Sequence, residues 1–226
     1  MPATQNARER ARAELTGEIA DEARRQLAEV GAQGLSLRSV ARELGMVSSA
    51  LYRYFPSKER LLTALIVDAY NDIGEAAENA DPGHGEDPRT RWEAIWHGTR
   101  AWAKAHPHEY ALIYGSPIPG YQAPEDTLVP AGRVAFALIA TITAVELRES
   151  PPREMPPGLR EQAETLVRTL GADVSAETAI RLIMAWTQLF GSISFELFGQ
   201  YVGSVDPTGD YFGHVARHLA DFVGLP

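Results

Sequence analysis

The stretch from Ser36 to Glu59 restricts the fold of this chain more than any other. Leu37, Val40, Ala41 and Leu44 recur at i, i+3, i+4 and i+7, the spacing that lines one face of a helix with apolar side chains. Gly45 follows at once, where a chain leaving a helix often needs a positive φ. Leu51 and Phe55 then give a second helical segment, from about residue 47 to 55, its own i, i+4 anchor. Pro56 breaks that segment, because proline has no backbone N–H and steers the residue before it away from helix. Two short helices about a glycine turn form a helix-turn-helix, whose second helix enters the DNA major groove. Double-stranded DNA is therefore the expected partner before any catalytic group is sought.

A net charge of -9 over 226 residues looks wrong for such a partner, but the charge is unevenly placed. Residues 1–60 hold ten Lys and Arg against eight Asp and Glu, whereas residues 61–226 hold eleven against twenty-two. An acidic body repels DNA and leaves the N-terminal module as the contact surface. The absence of cysteine excludes disulfides and thiolate metal sites. The N-terminus is rich in Ala, Arg and Glu with no apolar targeting core, and apolar runs are interrupted well short of a membrane span. A cytoplasmic protein with no membrane partner is expected.

Along the chain, Leu15, Ile19, Ala23, Leu27 and Val30 make an amphipathic helix over 8–30, with Arg8, Arg10 and Arg12 as its solvated basic lead-in and Gly31 and Gly34 as its end. Ser36 is suited to cap the next helix, and Ser57 a further one carrying Leu61, Leu62, Leu65, Ile66, Ala69 and Ile73. A loop at 81–88 separates these helices from the body. Body helices are predicted at 89–105, from Pro107 to Tyr114, at 125–148, at 158–170, from Ser175 to about Tyr201 and from Pro207 to Phe222, with Pro-rich loops at 115–124 and 150–157. The expected fold class is all-α. An N-terminal three-helix helix-turn-helix domain, residues 1–60, precedes a larger helical domain, residues 61–226.

No catalytic constellation stands out: there is no Gly-x-Ser-x-Gly, no Walker sequence and no His-Glu-x-x-His. His106, His108 and Glu109 are not read as metal ligands, since histidines two apart do not share a helix face and Pro107 marks a helix entry. No cofactor and no metal is expected, and the chain is not read as an enzyme. Residues 176–201 are apolar around most of the helix circumference, which requires burial on all sides, and a subunit interface buries the extra face.

The segments Leu37 to Gly45 and Ala50 to Glu59 resemble the N-terminal domain of the TetR (tetracycline-repressor) family of transcriptional regulators. The most specific feature is Leu51-Tyr52-Arg53-Tyr54-Phe55 with Lys58 three residues on. In the body, His106-Pro107, Tyr110, residues 115–127 and Trp186 through Gly191 are similar in part to a subgroup with a Trp-His-Gly signature, with Phe190 at the His position.

That resemblance implies a DNA-binding regulator released from a palindromic operator by a small-molecule effector, hence a repressor. It places Ser48, Ser49, Ala50 and Tyr52 at base edges, Arg53, Tyr54 and Lys58 at phosphates, and Arg38 at a position that reaches guanine in some members. The chemistry is apt: arginine bonds two guanine acceptors at once, and small side chains permit close approach to thymine methyls. Most members carry Ser or Thr where this chain has Val47, so the helix cap would pass to Ser48. The resemblance further implies an effector pocket in the body, for which the aromatic and polar candidates are Trp92, Trp96, His97, Arg100, Tyr110, Tyr114, Trp186 and Phe190, with Gln188 as a further polar group. It implies a homodimer through a four-helix bundle, for which the candidate interface residues are Ile183, Thr187, Gly191, Ser194 and Phe198. A helical carrier or enzyme whose N-terminal module is only structural is the alternative from another class.

Overall fold

The computed structural model describes residues 2–148, 154–171 and 173–226. Among these residues it holds ten α-helices and no strand. They are α1 (Pro2–Gly34), α2 (Leu37–Glu43), α3 (Ser48–Leu51), α4 (Lys58–Ala80), α5 (Pro88–Ala105), α6 (Pro107–Tyr114), α7 (Leu128–Ile142), α8 (Pro157–Leu170), α9 (Ala176–Leu197) and α10 (Thr208–Val223). A 3-10 turn, Glu125–Thr127, precedes α7.

The helices form two compact units. The first comprises residues 1–70 and 106–130, the second residues 71–105 and 131–226. The contact boundary thus differs from a cut at residue 60, because the first unit takes in the start of α4, all of α6 and the segment after it. In the first unit Ile19, Ala23 and Leu27 of α1 meet Leu37, Val40 and Ala41 of α2, Leu51 and Phe55 from the recognition segment, and Leu61, Leu62 and Leu65 of α4. Leu112 of α6 joins the same core, and Ile113, Ile118 and Tyr121 pack against it. Arg24 of α1 is paired with Asp68 at 2.7 Å and lies 3.7 Å from Glu109 of α6. The Tyr121 and Thr63 hydroxyls are 3.0 Å apart.

The second unit buries Trp92, Ile95 and Trp96 of α5 with Leu138 of α7, Ala185, Leu189 and Ile193 of α9, and Phe212, Ala216 and Ala220 of α10. Trp92 donates its indole N–H to the Ala216 carbonyl at 3.0 Å, which satisfies that buried donor. Arg91, almost wholly buried, makes a two-pronged bond to Asp81 at 2.8 and 2.7 Å, and so fixes the turn that leads into α5.

Several boundaries differ from the sequence expectation. α1 begins earlier and carries a kink at Gly31, whose φ of 67° only glycine adopts readily. The predicted helix at 125–148 stops at Ile142. There Thr141 and Thr143 turn their hydroxyls back onto the carbonyls of Leu138 and Ile139, and the Arg148 N–H bonds the Gly224 carbonyl at 2.7 Å instead of continuing a helix. α9 ends at Leu197, short of Tyr201, because Gly199 and Gly203 both adopt positive φ. Of the 150–157 loop, residues 150–153 lie outside the described residues.

Candidate nucleic-acid interface

Ser36 caps α2 as its sequence position requires: its hydroxyl accepts from the Ser39 N–H at 3.2 Å. Gly45 has φ 65°, and the Met46 N–H then bonds back to the Ala41 carbonyl at 2.8 Å, which closes the turn. Val47 itself occupies the N-cap of α3, extended at φ -70° and ψ 136°, and offers no side-chain acceptor. Ser48 is therefore the first helical residue and does not take over the cap. An oxygen-less cap leaves the first amides of α3 open to an outside acceptor.

The recognition segment is also shorter as regular helix than 47–55. α3 spans only Ser48–Leu51, and the chain continues by tighter bonds, Arg53 N–H to Ala50 at 3.2 Å and Tyr54 N–H to Leu51 at 2.9 Å. The Phe55 N–H returns to the Leu51 carbonyl at 3.1 Å, and Pro56 ends the segment there, since it disfavours α geometry in the residue before it. Ser57 opens α4, with its hydroxyl accepting from the Arg60 N–H at 3.3 Å.

These elements set the candidate contact residues at distinct depths. Leu51 and Phe55 are buried, so the segment is anchored by those two side chains. Arg38, Ser49, Tyr52 and Arg53 are exposed, and Ser48, Ala50, Tyr54 and Lys58 are half-buried. Arg38, Tyr52 and Lys58 come together with Ser36 and Ser57 on one open cleft of about 400 Å³ between the start of α2, the end of the recognition segment and the start of α4. Glu59 lies on the same cleft; its carboxyl is held below its usual value chiefly by the Ser57 hydrogen bond.

Two candidates carry intramolecular contacts that no local pattern in the sequence encodes. Tyr54 has the Arg12 guanidinium 5.6 Å from its ring centre, and Arg12 also donates to the Arg53 carbonyl at 3.4 Å. Arg12 thus differs from a merely solvated lead-in. Lys58 donates its ammonium to the Gln33 carbonyl at 2.8 Å and so tends the C-terminal end of α1.

The residues read as an effector pocket are divided between the two units. Tyr110 and Tyr114 belong to the first unit, where their rings lie 5.1 Å apart and Tyr70 meets Tyr114 edge-on at 5.9 Å. Burial, then the neighbouring Tyr70 and Tyr110, pushes the Tyr114 hydroxyl well above the usual phenol range. The other six belong to the second unit. There Trp92 and Trp96 are core, and the His97 ring packs 5.6 Å from Phe212. Loss of water around that ring, then the Arg100 charge, lowers its pKa. Arg100 is not available as a loose polar group, because it makes a two-pronged bond to Glu196 at 2.6 Å in both prongs. Burial would raise the Glu196 carboxyl, but bonds from Arg100, Lys104 and Thr208 outweigh it and hold it at about 2.

Trp186 alone of these candidates lines the apolar cavity of the second unit, formed by α7, α8 and α9, with Phe190 edge-on to it at 5.6 Å. Ile183, Thr187 and Phe198 are exposed and Gly191 and Ser194 half-buried, all on one side of α9 with exposed Met184 and Phe195.

An all-helical chain with a glycine-turned helix pair, buried anchors beneath it and exposed arginine, tyrosine and serine beside it is a helix-turn-helix protein. Residues 19–65 match the family described as bacterial regulatory proteins, tetR family, and residues 92–219 match the tetracyclin repressor-like C-terminal domain. The chain is 40% identical over 200 residues to the HTH-type transcriptional regulator Rv1816 of Mycobacterium tuberculosis, with 84% of each chain covered. It is 34% identical over 139 residues to the HTH-type transcriptional repressor DrrR1 of Streptomyces coeruleorubidus, covering 58% of this chain and 50% of that one. The crystal structure of the regulatory protein SCO4313 superposes with a TM-score of 0.79 at 30% identity, covering 94% of this chain and 98% of that one. The chain belongs to the TetR family of transcriptional regulators. It is a DNA-binding regulator.

Proposed function

We propose that this chain is a homodimeric repressor, in which residues 1–60 bind a palindromic operator and residues 61–226 hold the dimer contacts and a small-molecule effector. The observation that carries the DNA half is the cleft shared by Arg38, Tyr52 and Lys58 beside the exposed face of the recognition segment. Arg38, Ser48, Ser49, Ala50 and Tyr52 face bases in this reading, and Arg53, Tyr54 and Lys58 meet phosphates, which position the protein without reading sequence. Two copies related by a two-fold axis would read two half-sites in successive major grooves. The name of DrrR1 supports repression over activation. The role is regulatory and not catalytic, and its setting is the cytoplasm. No helix among the described residues is long and apolar enough to cross a membrane.

The exposed apolar side of α9, with Ile183, Thr187, Gly191, Ser194 and Phe198, supports dimerisation there, together with α10. Effector binding releases DNA only if the effector favours one dimer geometry over the other. Footprinting on the DNA upstream of the gene for this chain tests the reading. Protection of a symmetric site, lost in Tyr52→Ala, is expected; equal protection by wild type and Tyr52→Ala would overturn the recognition assignment.

A further inference from the structure

The face of α1 that meets the core is one stripe whose chemistry changes along its length. Ile19 is buried, and Leu15 packs against the same core. Toward the N-terminus the next positions at helical spacing on that face are Arg12 and Arg8. The stripe Ile19–Leu15–Arg12–Arg8 therefore turns from apolar to basic where the core ends. A purely solvated arginine belongs on the outer face of a helix, and these two are on the inner one.

Arg12 has protein beneath it. Its guanidinium lies 5.6 Å from the Tyr54 ring centre and donates to the Arg53 carbonyl at 3.4 Å, so the inner stripe crosses the end of the recognition segment. Arg8 stands one turn, about 6 Å, further out along α1. It is exposed and carries no hydrogen bond or ion pair among the described residues. Its side chain thus continues past Arg53 and Tyr54 with no protein group to receive it. A helix is about 10–12 Å across with its side chains and the DNA minor groove about 6 Å wide, so α1 cannot enter that groove and reaches the backbone instead.

We propose that Arg8 binds a phosphate of the DNA backbone beyond the contacts of the recognition segment, with Arg12 seating α1 on Tyr54. The inference rests on the reading of residues 1–60 as the operator-binding module and extends its contact outward from each half-site. Arg10 is a control that the chain itself supplies. It has the same charge as Arg8 but lies about 160° round the helix, among exposed Glu14, Gly17 and Asp21. A general positive field would make the two arginines equivalent, whereas a contact distinguishes them.

Fluorescence anisotropy across a salt series tests this with the full chain on the DNA upstream of its gene. Arg8→Gln should weaken binding about fivefold and lower the slope of log affinity against log salt by about one unit for each chain bound. Arg8→Lys should keep the wild-type slope, and Arg10→Gln should stay within about twofold of wild-type affinity. Ethylation interference should lose its outermost phosphate on each flank in Arg8→Gln and keep the inner ones. Equal losses in Arg8→Gln and Arg10→Gln, an unchanged slope or an unchanged interference map in Arg8→Gln would each overturn the inference. A slope lost in Arg8→Lys as well would assign the effect to the helix and overturn it too. If the wild type protects no symmetric site upstream, the operator reading fails, and the salt series on a duplex of arbitrary sequence decides the Arg8 contact alone, because phosphates carry no sequence. There a slope lowered in Arg8→Gln and not in Arg10→Gln upholds the contact, and a wild-type slope in Arg8→Gln overturns it. A wild type that binds neither DNA overturns both readings.

Discussion

Lys58, the first residue of α4, holds the Gln33 carbonyl at the end of α1 at 2.8 Å. One ammonium carries three donors, so this bond leaves two for a phosphate, and the same side chain both closes a helix end and borders the Arg38–Tyr52 cleft. Lys58→Ala should lower thermal stability by about 1 kcal/mol and weaken DNA binding across sequences. The slope of log affinity against log salt should fall by about one unit. A variant with lowered stability and an unchanged salt slope would confine Lys58 to the helix end.

Glu196 contributes through its charge. Its pKa lies at about 2 in the folded chain against 4.5 for the unperturbed group, so the folded form binds the proton more weakly. The contribution to stability is therefore complete above about pH 4.5 and is lost as pH falls toward 2. Glu196→Gln should remove about 2 kcal/mol at neutral pH, because it leaves Arg100 without its two-pronged partner. Urea midpoints measured at several pH values should converge for wild type and variant near pH 2; parallel curves would show that the charge is inert.

Gly191 separates the fold of one chain from the assembly of two. A Cβ built at this position meets nothing within 4 Å in the single chain. Gly191→Leu should therefore leave the helical content of the chain intact, and glycine removal favours helix by up to about 1 kcal/mol. If α9 is the dimer contact, the added side chain enters the partner and dissociation rises at least tenfold in sedimentation equilibrium. A dimer as tight as wild type would place the interface elsewhere.

Gly45→Ala should cost about 1 kcal/mol in thermal unfolding, since φ 65° is strained for a residue with a Cβ. The substitution alters no contact, for nothing lies within 4 Å of that Cβ. DNA affinity should fall by more than the stability change explains, because the turn sets the angle between α2 and α3.

How far the fold was readable depends on the reach of each interaction. The apolar spacing of Leu37, Val40, Ala41 and Leu44, the glycine at 45 and the caps at Ser36 and Ser57 are all local, and each stands where the pattern puts it. The ends of α7 and α9 were overestimated because apolar residues continue past the point where hydroxyls and positive-φ glycines stop the helix. At the candidate interface helical phase put Leu51 and Phe55 inward, but Arg12 on Tyr54 and Lys58 on Gln33 did not follow from it. These contacts join residues that only the packed helices bring together. The effector candidates show the same limit. Aromatic content marks a large core, yet Trp92 and Trp96 fill space while Trp186 borders it, and composition cannot tell a wall from a filling.

Leu112→Ala should cost about 2–3 kcal/mol in the first unit, the usual result of truncating a buried leucine, although the residue lies more than fifty positions beyond the helix-turn-helix. Far-ultraviolet melting with tyrosine emission as a second probe measures it.

The seat of Leu112 also bears on how this regulator can be engineered. A chimera that grafts residues 1–60 onto a foreign sensor would strip Leu112 and the α4 leucines Leu61, Leu62 and Leu65 from the core they share with Ile19 and Leu27, and so uncover the underside of the reading head. The transferable cassette is discontinuous: its second piece is α6 with the strap that follows through Tyr121. Sensor swaps in this chain should keep residues 106–130 with the reading head and place their junctions in the second unit.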